Sequence, residues 1–302
     1  MKVFIENSFI EKLEADRESL LNNRLYNIIV NYPQIELFID FEYIVNSYGD
    51  IQYETLELYK SKASFLPQRE NDINHNWKDF NLILTIEAKN WFIEARQNGV
   101  LCFCFTDYES QISDIINEYH YRIDLSESDF DWTKLKFIKP LGKTYINDNY
   151  ILVNSTSQKI EDNLLPLLYQ IDSNNNSKCI EIYTIAQPKN QEKRYAIEKL
   201  EEKISLLTEK FTNWKFTVFN TDKYTDFDFH DRIIMTNVQL VECGKGFNLH
   251  PHKESNSNII SNTIFDLYTY KRLKNLERAH LKCSDKLNNN NNTFSVTKFP
   301  EN

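Results

Sequence analysis

Glycine is scarce in this chain of 302 residues, with only five copies, and neither a G-x-G-x-x-G fingerprint nor a P-loop occurs. This excludes Rossmann-type dinucleotide sites and P-loop nucleotide sites, which both need glycines at defined spacings. The five cysteines are scattered and form no C-x-x-C pair, which disfavours a disulfide framework and a zinc site. No apolar run approaches the roughly twenty residues of a membrane span, and the N-terminus lacks the apolar core of a signal peptide. We therefore expect a cytoplasmic protein without a membrane span, a metal or a cofactor.

Basic residues are also in deficit, since 35 Lys and Arg face 44 Asp and Glu, for a net charge of −9. This balance disfavours non-specific binding of nucleic acid by the whole molecule, although a local basic groove remains compatible with it. Apolar and aromatic residues are plentiful, at 41% and 14% of the chain. Such a composition is typical of a globular protein with a sizeable core, and the length favours two domains.

Helical and strand-like patterns alternate in the first part of the chain. Residues 13–30 carry an apolar face at helical spacing, and residues 107–119 predict a second helix. The β-branched and aromatic runs at 35–39 and 100–105 predict strands. Alternation of this kind indicates an α/β fold, and we expect residues 1–125 to form a small α/β domain.

Clearer patterns follow a polar stretch that contains a soft domain boundary between residues 124 and 148. The expected elements are strands at 179–185, 215–219, 232–236 and 238–242 and a helix at 191–210. We expect the first three strands to be neighbours in one mixed sheet, crossed on one face by the helix. The second domain is placed at residues 150–287. The tail at 288–302, which opens with five consecutive Asn, is expected to be disordered.

One spaced constellation in the second domain carries chemistry. It follows the pattern H-x-K-x4-D-x6-G-[SG]-x2-N, with Arg in place of Lys, Asn in place of Asp and Lys in place of the small residue. The positions that correspond to it are His230, Arg232, Asn237, Gly244, Lys245 and Asn248.

This pattern resembles the phosphate-site motif of the phospholipase-D superfamily. The segment from His230 to Asn248, with Gly246 beside its lysine, is also similar to the phospholipase-D-like C-terminal domain of MIT-domain proteins, which is a binding module. The resemblance covers about residues 178–250. It implies a phospholipase-D-like mixed sheet flanked by helices, with His230 as the catalytic residue.

On this resemblance, the substitutions are expected to weaken hydrolysis more than they weaken binding. In the family, the His attacks a phosphodiester and the Lys and Asn neutralise the phosphate oxygens. The resemblance therefore assigns phosphate binding to His230, Arg232, Lys245 and Asn248, and structural roles to Asn237, Gly244 and Gly246. An Arg can still hold a phosphate through its bidentate fork, but tighter ground-state binding does not lower the barrier.

A complete hydrolytic site needs a second His, and neither H-x-K-like segment that starts at His120 or His280 is followed by the rest of the motif. A homodimer could still bring two copies of His230 together across a two-fold axis. The carboxylates Glu6, Asp40, Glu42 and Asp107 suggest a two-metal nuclease site in the first domain. Roles as helix caps and surface carboxylates explain these acids more simply.

Three functions follow from these observations. The favoured one is a module that binds a phosphate-bearing ligand, such as nucleic acid, a nucleotide or a phospholipid headgroup, with a degenerate site. The second is a dimeric, metal-independent phosphodiesterase or nuclease that uses His230. The third is an interaction subunit of a multi-protein complex. The Asn-, Lys- and Ile-rich composition is typical of an AT-rich bacterial genome, where such domains suit antiviral defence or mobile-element systems.

Overall fold

The computed structural model describes residues 1–15, 23–31, 35–39, 73–126, 130–138, 143–152, 156–172, 178–184, 193–220, 232–251, 255–287 and 294–299. Its contacts divide the chain into two compact units. The first comprises Met1–Ile116 and Phe265–Tyr270, and the second comprises Asn117–Ile264 and Lys271–Asn302. Both units combine a sheet with helices, so the expected α/β class is confirmed.

The first unit contains a parallel sheet of four strands in the order β2-β1-β3-β4. Its elements along the chain are β1 (Lys2–Ile5), α1 (Asn7–Ala15), α2 (Arg24–Asn31), β2 (Glu36–Phe38), α3 (Ile73–Asn76), β3 (Leu82–Thr85), α4 (Phe92–Gln97), β4 (Leu101–Cys104) and α5 (Tyr108–Tyr119). The strands are buried on both faces, which explains their continuous apolar sequences. Phe4, Phe80 and Ile83 belong to the apolar cluster on one of these faces.

The second unit is built on a mixed sheet of eight strands in the order β12-β8-β7-β6-β9-β10-β11-β5. Its elements are β5 (Tyr121–Asp124), β6 (Lys143–Asn147), α6 (Ser157–Lys159), a π-helical turn (Ile160–Leu164), α7 (Leu165–Ile171), β7 (Lys178–Thr184), α8 (Lys193–Lys210), β8 (Trp214–Asn220), β9 (Ile233–Met235), β10 (Gln239–Cys243), β11 (Asn258–Thr263), α9 (Leu267–Leu287), whose residues up to Tyr270 belong to the first unit, and β12 (Phe294–Lys298).

Parallel and antiparallel pairing meet at β6 in this sheet. Strands β6, β7 and β8 are parallel, whereas β9 runs antiparallel to β6. The carboxyl end of β6 and the amino end of β9 therefore lie at the same edge, and Asn147 pairs with Ile233 there. The loops that leave this edge come from distant parts of the sequence.

The main core of the second unit lies between the sheet and its helices. Leu200, Ile204 and Leu207 recur at helical spacing on α8 and are buried in the same apolar cluster as Ile180 and Ile182 of β7. Each fully buried aliphatic side chain of this size contributes about 1.5–3 kcal/mol. The local period alone predicts these elements, and the expected strand–helix–strand order is confirmed.

Three expectations need correction. Strand β9 does not neighbour β7, because β6 lies between them. The second unit also begins before residue 150, since β5 pairs with β11 and β6 with β7. The segment expected as a disordered tail contains β12, which pairs antiparallel with β8 and buries Val296. Each error has one cause: the pairing partner of the strand lies far away in the sequence.

Further differences concern helices and membrane spans. The single helix expected over residues 13–30 is replaced by α1 and α2, and the residues between 15 and 23 lie outside the described part. The long helix α9 was not predicted. None of the helices that the structure describes is both long and apolar enough to cross a membrane.

Candidate functional site at the carboxyl end of β6

Asp148 is the first residue after β6 and is only 1% exposed. Its Oδ1 accepts a hydrogen bond from the backbone N–H of Tyr150 at 2.8 Å, and its Oδ2 accepts one from the N–H of Phe247 at 2.8 Å. Burial raises the pKa of the Asp148 carboxyl, while these two N–H groups and the charge of Arg232 oppose the rise. The carboxylate therefore ties the end of β6 to the turn after β10.

Arg232 immediately precedes β9 and is half-buried. One of its guanidinium nitrogens, Nη1, donates to the carbonyl of Gly244 at 2.6 Å. The guanidinium carbon lies 5.6 Å from the centre of the Tyr150 ring, in a cation–π arrangement. Within the described ranges no carboxylate forms a direct ion pair with this guanidinium. Most N–H donors of the Arg232 guanidinium are therefore not used by residues of the described ranges.

The turn after β10 contains both motif glycines. Gly246 has φ +96°, and a Cβ on it would lie 2.8 Å from Asp148 Oδ2 and 3.0 Å from Arg232 Cδ. A Cβ on Gly244 would lie 2.7 Å from the hydroxyl oxygen of Ser257. The absence of a side chain at Gly246 lets the turn approach Asp148 and Arg232 closely, and its absence at Gly244 leaves room for Ser257.

Asn248 follows this turn and lies beside Tyr150. Its Nδ2 donates to the carbonyl of Tyr150 at 2.8 Å, and its Oδ1 is buried without a hydrogen-bond partner among the described residues. Arg232 and Asn248 therefore meet at one residue, Tyr150, the first at the ring and the second at the backbone. The sequence motif contains neither Tyr150 nor Asp148.

Asn163 fixes the chain just beyond Asn248. It lies in the π-helical turn and is fully buried. Its Oδ1 accepts from the N–H of His250 at 2.6 Å, and its Nδ2 donates to the carbonyl of His250 at 3.0 Å. Single π-helical turns of this kind often occur near functional sites. Sequence reasoning missed Asn163, although an internal Asn within a helical apolar pattern is the signal that could have indicated it.

The remaining motif positions are dispersed. Lys245 is exposed in the turn that contains the two glycines. Asn237 lies in the tight turn between β9 and β10, at the opposite end of β9 from Arg232, so it does not join the group around Tyr150. His230, the expected nucleophile, lies outside the described residues.

The two other histidines considered as second-motif candidates have structural partners. His120 Nε2 lies 2.8 Å from the Thr263 hydroxyl and accepts the N–H of Thr263 at 3.0 Å. His280 is buried with Nε2 2.9 Å from Asn147 Oδ1, and its ring stacks on Tyr145 at 4.4 Å. Burial lowers the pKa of His280 to about 3.

The described acids of the proposed two-metal site are engaged elsewhere. Glu6 forms an ion pair with Lys89 at 2.8 Å and accepts the N–H of Ile86 at 2.6 Å. Asp107 lies at the start of α5 and accepts a hydrogen bond from Cys104 Sγ at 2.7 Å. Asp40 and Glu42 lie outside the described residues. Where the chain is described, no group of three or more His, Cys, Asp or Glu is arranged to hold a metal ion.

The first unit also contains a cavity of about 460 Å³ beside the start of α5. Three of its polar lining groups bond to one another: Asn23 donates to the Tyr108 hydroxyl at 2.7 Å, and that hydroxyl donates to Glu109 at 3.1 Å. The ammonium of Lys12 lies over the Phe105 ring. Since these groups satisfy each other, the cavity is a weaker candidate than the group around Tyr150.

Comparison with known proteins yields no relative. No protein-family model, curated protein or solved structure matches the chain.

Proposed function

We propose that the second unit binds a phosphate-bearing ligand at the carboxyl end of β6, in a degenerate phospholipase-D-like site, without cleaving it. The observation that supports this most is the convergence of Arg232 and Asn248 on Tyr150. Both side chains occupy positions that the motif assigns to phosphate binding. Tyr150 is remote from both in sequence, and the edge shared by β6 and β9 brings the two chain segments together.

Arg232 supplies the charge that such a ligand needs. Its bond to the Gly244 carbonyl orients the guanidinium and occupies one nitrogen, and, as far as the described residues are concerned, the planar fork retains donors for a bidentate contact with phosphate oxygens. The buried Asp148 helps to hold the cation in place, since the two groups interact electrostatically. The exposed Lys245 in the adjoining turn adds a second positive charge near the ligand.

Binding without cleavage is the outcome that the substitutions favour. An Arg in place of the motif Lys stabilises the bound substrate as much as the transition state, so this substitution gives no rate advantage. Asn237 carries no negative charge for an imidazole, and it lies at the other end of β9 from Arg232. His120 is bonded to Thr263 and His280 to Asn147, so neither is proposed as a second catalytic histidine.

A titration of Arg232→Gln against the unmodified protein tests the proposal. The ligands are inorganic phosphate, mononucleotides, short single-stranded oligonucleotides and inositol phosphates. Loss of a charge-assisted contact should weaken the binding of each ligand by about 1.5–3 kcal/mol, which lowers its affinity roughly ten- to a hundredfold. Arg122→Gln is the matched control, because Arg122 is an exposed arginine on β5, at the edge of the sheet.

Two results would overturn the proposal. One is equal affinity of the Arg232→Gln variant and the unmodified protein for each ligand that binds. The other is failure of every phosphate-bearing ligand to bind a protein whose thermal unfolding shows that it is folded.

A further inference from the structure

The backbone of Tyr150 is anchored by two hydrogen bonds, although its side chain is exposed. The backbone N–H of Tyr150 donates to Asp148 Oδ1, and its carbonyl accepts from Asn248 Nδ2. The next two residues, Ile151 and Leu152, are buried in the main core. The side chain itself is 49% exposed, even though Arg232 lies over its ring. An aromatic side chain has few rotatable bonds, so on a backbone anchored in this way it loses little conformational entropy when a ligand packs against it.

Arg232 and Tyr150 together form a recognition surface of defined chemistry. The guanidinium carbon lies over the ring, 5.6 Å from its centre, so the cationic fork adjoins one face of the aromatic ring. A guanidinium binds phosphate, and an exposed aromatic ring stacks on a nucleobase. A phospholipid headgroup offers phosphate but no planar ring, which would leave Tyr150 without a role in binding.

We infer that the ligand is a nucleotide unit, with its phosphate on Arg232 and its base stacked on Tyr150. This rests on the proposed function, because Arg232 must first hold the phosphate. One sugar separates the phosphate from the base of a nucleotide, so a single unit reaches both side chains. The unit belongs either to a free nucleotide or to a single strand of nucleic acid. The net charge of −9 disfavours contacts with a long run of backbone phosphates.

The decisive comparison uses two ligands that differ only in the base, adenosine monophosphate and the ribose phosphate that lacks adenine. The unmodified protein should bind adenosine monophosphate about tenfold more tightly, the usual order of effect for stacking on an aromatic side chain. Tyr150→Leu should remove this tenfold difference between the two ligands, whereas Tyr150→Phe should keep the difference.

Tyr169→Leu is the matched control, because Tyr169 is 44% exposed and belongs to α7 in the same unit. It should retain the tenfold difference. A second measurement uses Tyr150→Trp: adenosine monophosphate should quench the added fluorescence by stacking, and ribose phosphate should not. Thermal unfolding of each variant establishes that it is folded before its affinity is interpreted.

The outcomes separate this inference from the proposed function. Equal affinity for the two ligands in the unmodified protein, or equal loss of both in Tyr150→Leu, would overturn base stacking while phosphate binding stands. If inositol phosphates bound more tightly than adenosine monophosphate and Tyr150→Leu did not change their affinity, base stacking would also be overturned. Failure of all these ligands to bind would overturn both base stacking and the proposed function. Tyr150-dependent binding of a short single strand more tightly than of the free nucleotide would support the inference and identify nucleic acid as the source.

Discussion

Gly246 lies against the carboxylate of Asp148, with φ +96° and so little space that a Cβ would come within 2.8 Å of Oδ2. The next residue, Phe247, donates its N–H to that same oxygen. The close approach of the turn and the hydrogen bond therefore depend on each other. A side chain at residue 246 would separate the two segments that form the candidate site.

Gly246→Ala should destabilise the protein by about 1–3 kcal/mol, because alanine is strained at positive φ and its Cβ displaces Asp148 or Arg232. The measurement is the free energy of unfolding in urea. Lys245→Ala is the control, since Lys245 is exposed in the same turn and should leave stability nearly unchanged. Equal stability of the two variants would show that the turn does not need a glycine here.

Asp148→Asn should also cost about 1–3 kcal/mol. The amide offers one acceptor oxygen where the carboxylate accepts from two N–H groups, so one buried donor loses its partner. Asp124→Asn is a matched control: Asp124 accepts a single N–H, from Ser126, at the exposed edge strand. Comparable losses in both variants would contradict the role assigned to burial.

Lys178→Met should destabilise the second unit strongly. Lys178 Nζ and Asp172 Oδ2 are 3.3 Å apart, with side chains 4% and 0% exposed. Removing the ammonium leaves a buried carboxylate, which costs about 3–5 kcal/mol. The double variant Asp172→Asn with Lys178→Met should recover much of the loss. Lys199→Met, which breaks the exposed pair with Glu202, should have no measurable effect.

Stability should fall in acid partly because of His280. Burial lowers its pKa to about 3, so the folded state keeps the ring neutral, whereas the unfolded chain takes up a proton below about 6.5. The contribution of neutral His280 to stability is complete above the pKa that this histidine has in the unfolded chain. It is lost as pH falls towards 3, by up to about 1.4 kcal/mol per pH unit. The measurement is the urea midpoint across this range for the unmodified protein and for His280→Leu. Carboxylates titrate in both proteins, so parallel pH curves would contradict a role for His280.

Little or no phosphodiesterase activity is expected from purified protein, because the motif Lys and Asp are replaced. Should activity occur, the His-dependent mechanism requires that it persists in EDTA, disappears in His230→Ala and rises with dimer formation. Activity that EDTA abolishes and His230→Ala spares would instead point to the carboxylates of the first unit. The measurement is hydrolysis of a chromogenic phosphodiester over a range of protein concentrations.

The positions of the candidate site were only partly visible in the sequence. Arg232 and Asn248 were chosen by their spacing, and they meet at Tyr150. Asp148 was missed because it follows a polar, turn-rich stretch, and its significance depends on Phe247, which is 99 residues away. The spacing also placed Asn237 with the site, whereas the length of β9 carries it to the opposite end of the strand.

By itself, the sequence determined the α/β class and the elements whose period is local, such as β7, α8 and β8. Each of these is specified by residues within one turn or one pleat of each other, so neighbouring letters carry the information. Only the tertiary structure decided that β6 lies between β7 and β9 and that β12 completes the far edge. Pairing between strands depends on hydrogen bonds and side-chain contacts between distant segments, and no local pattern records which partner a strand will have.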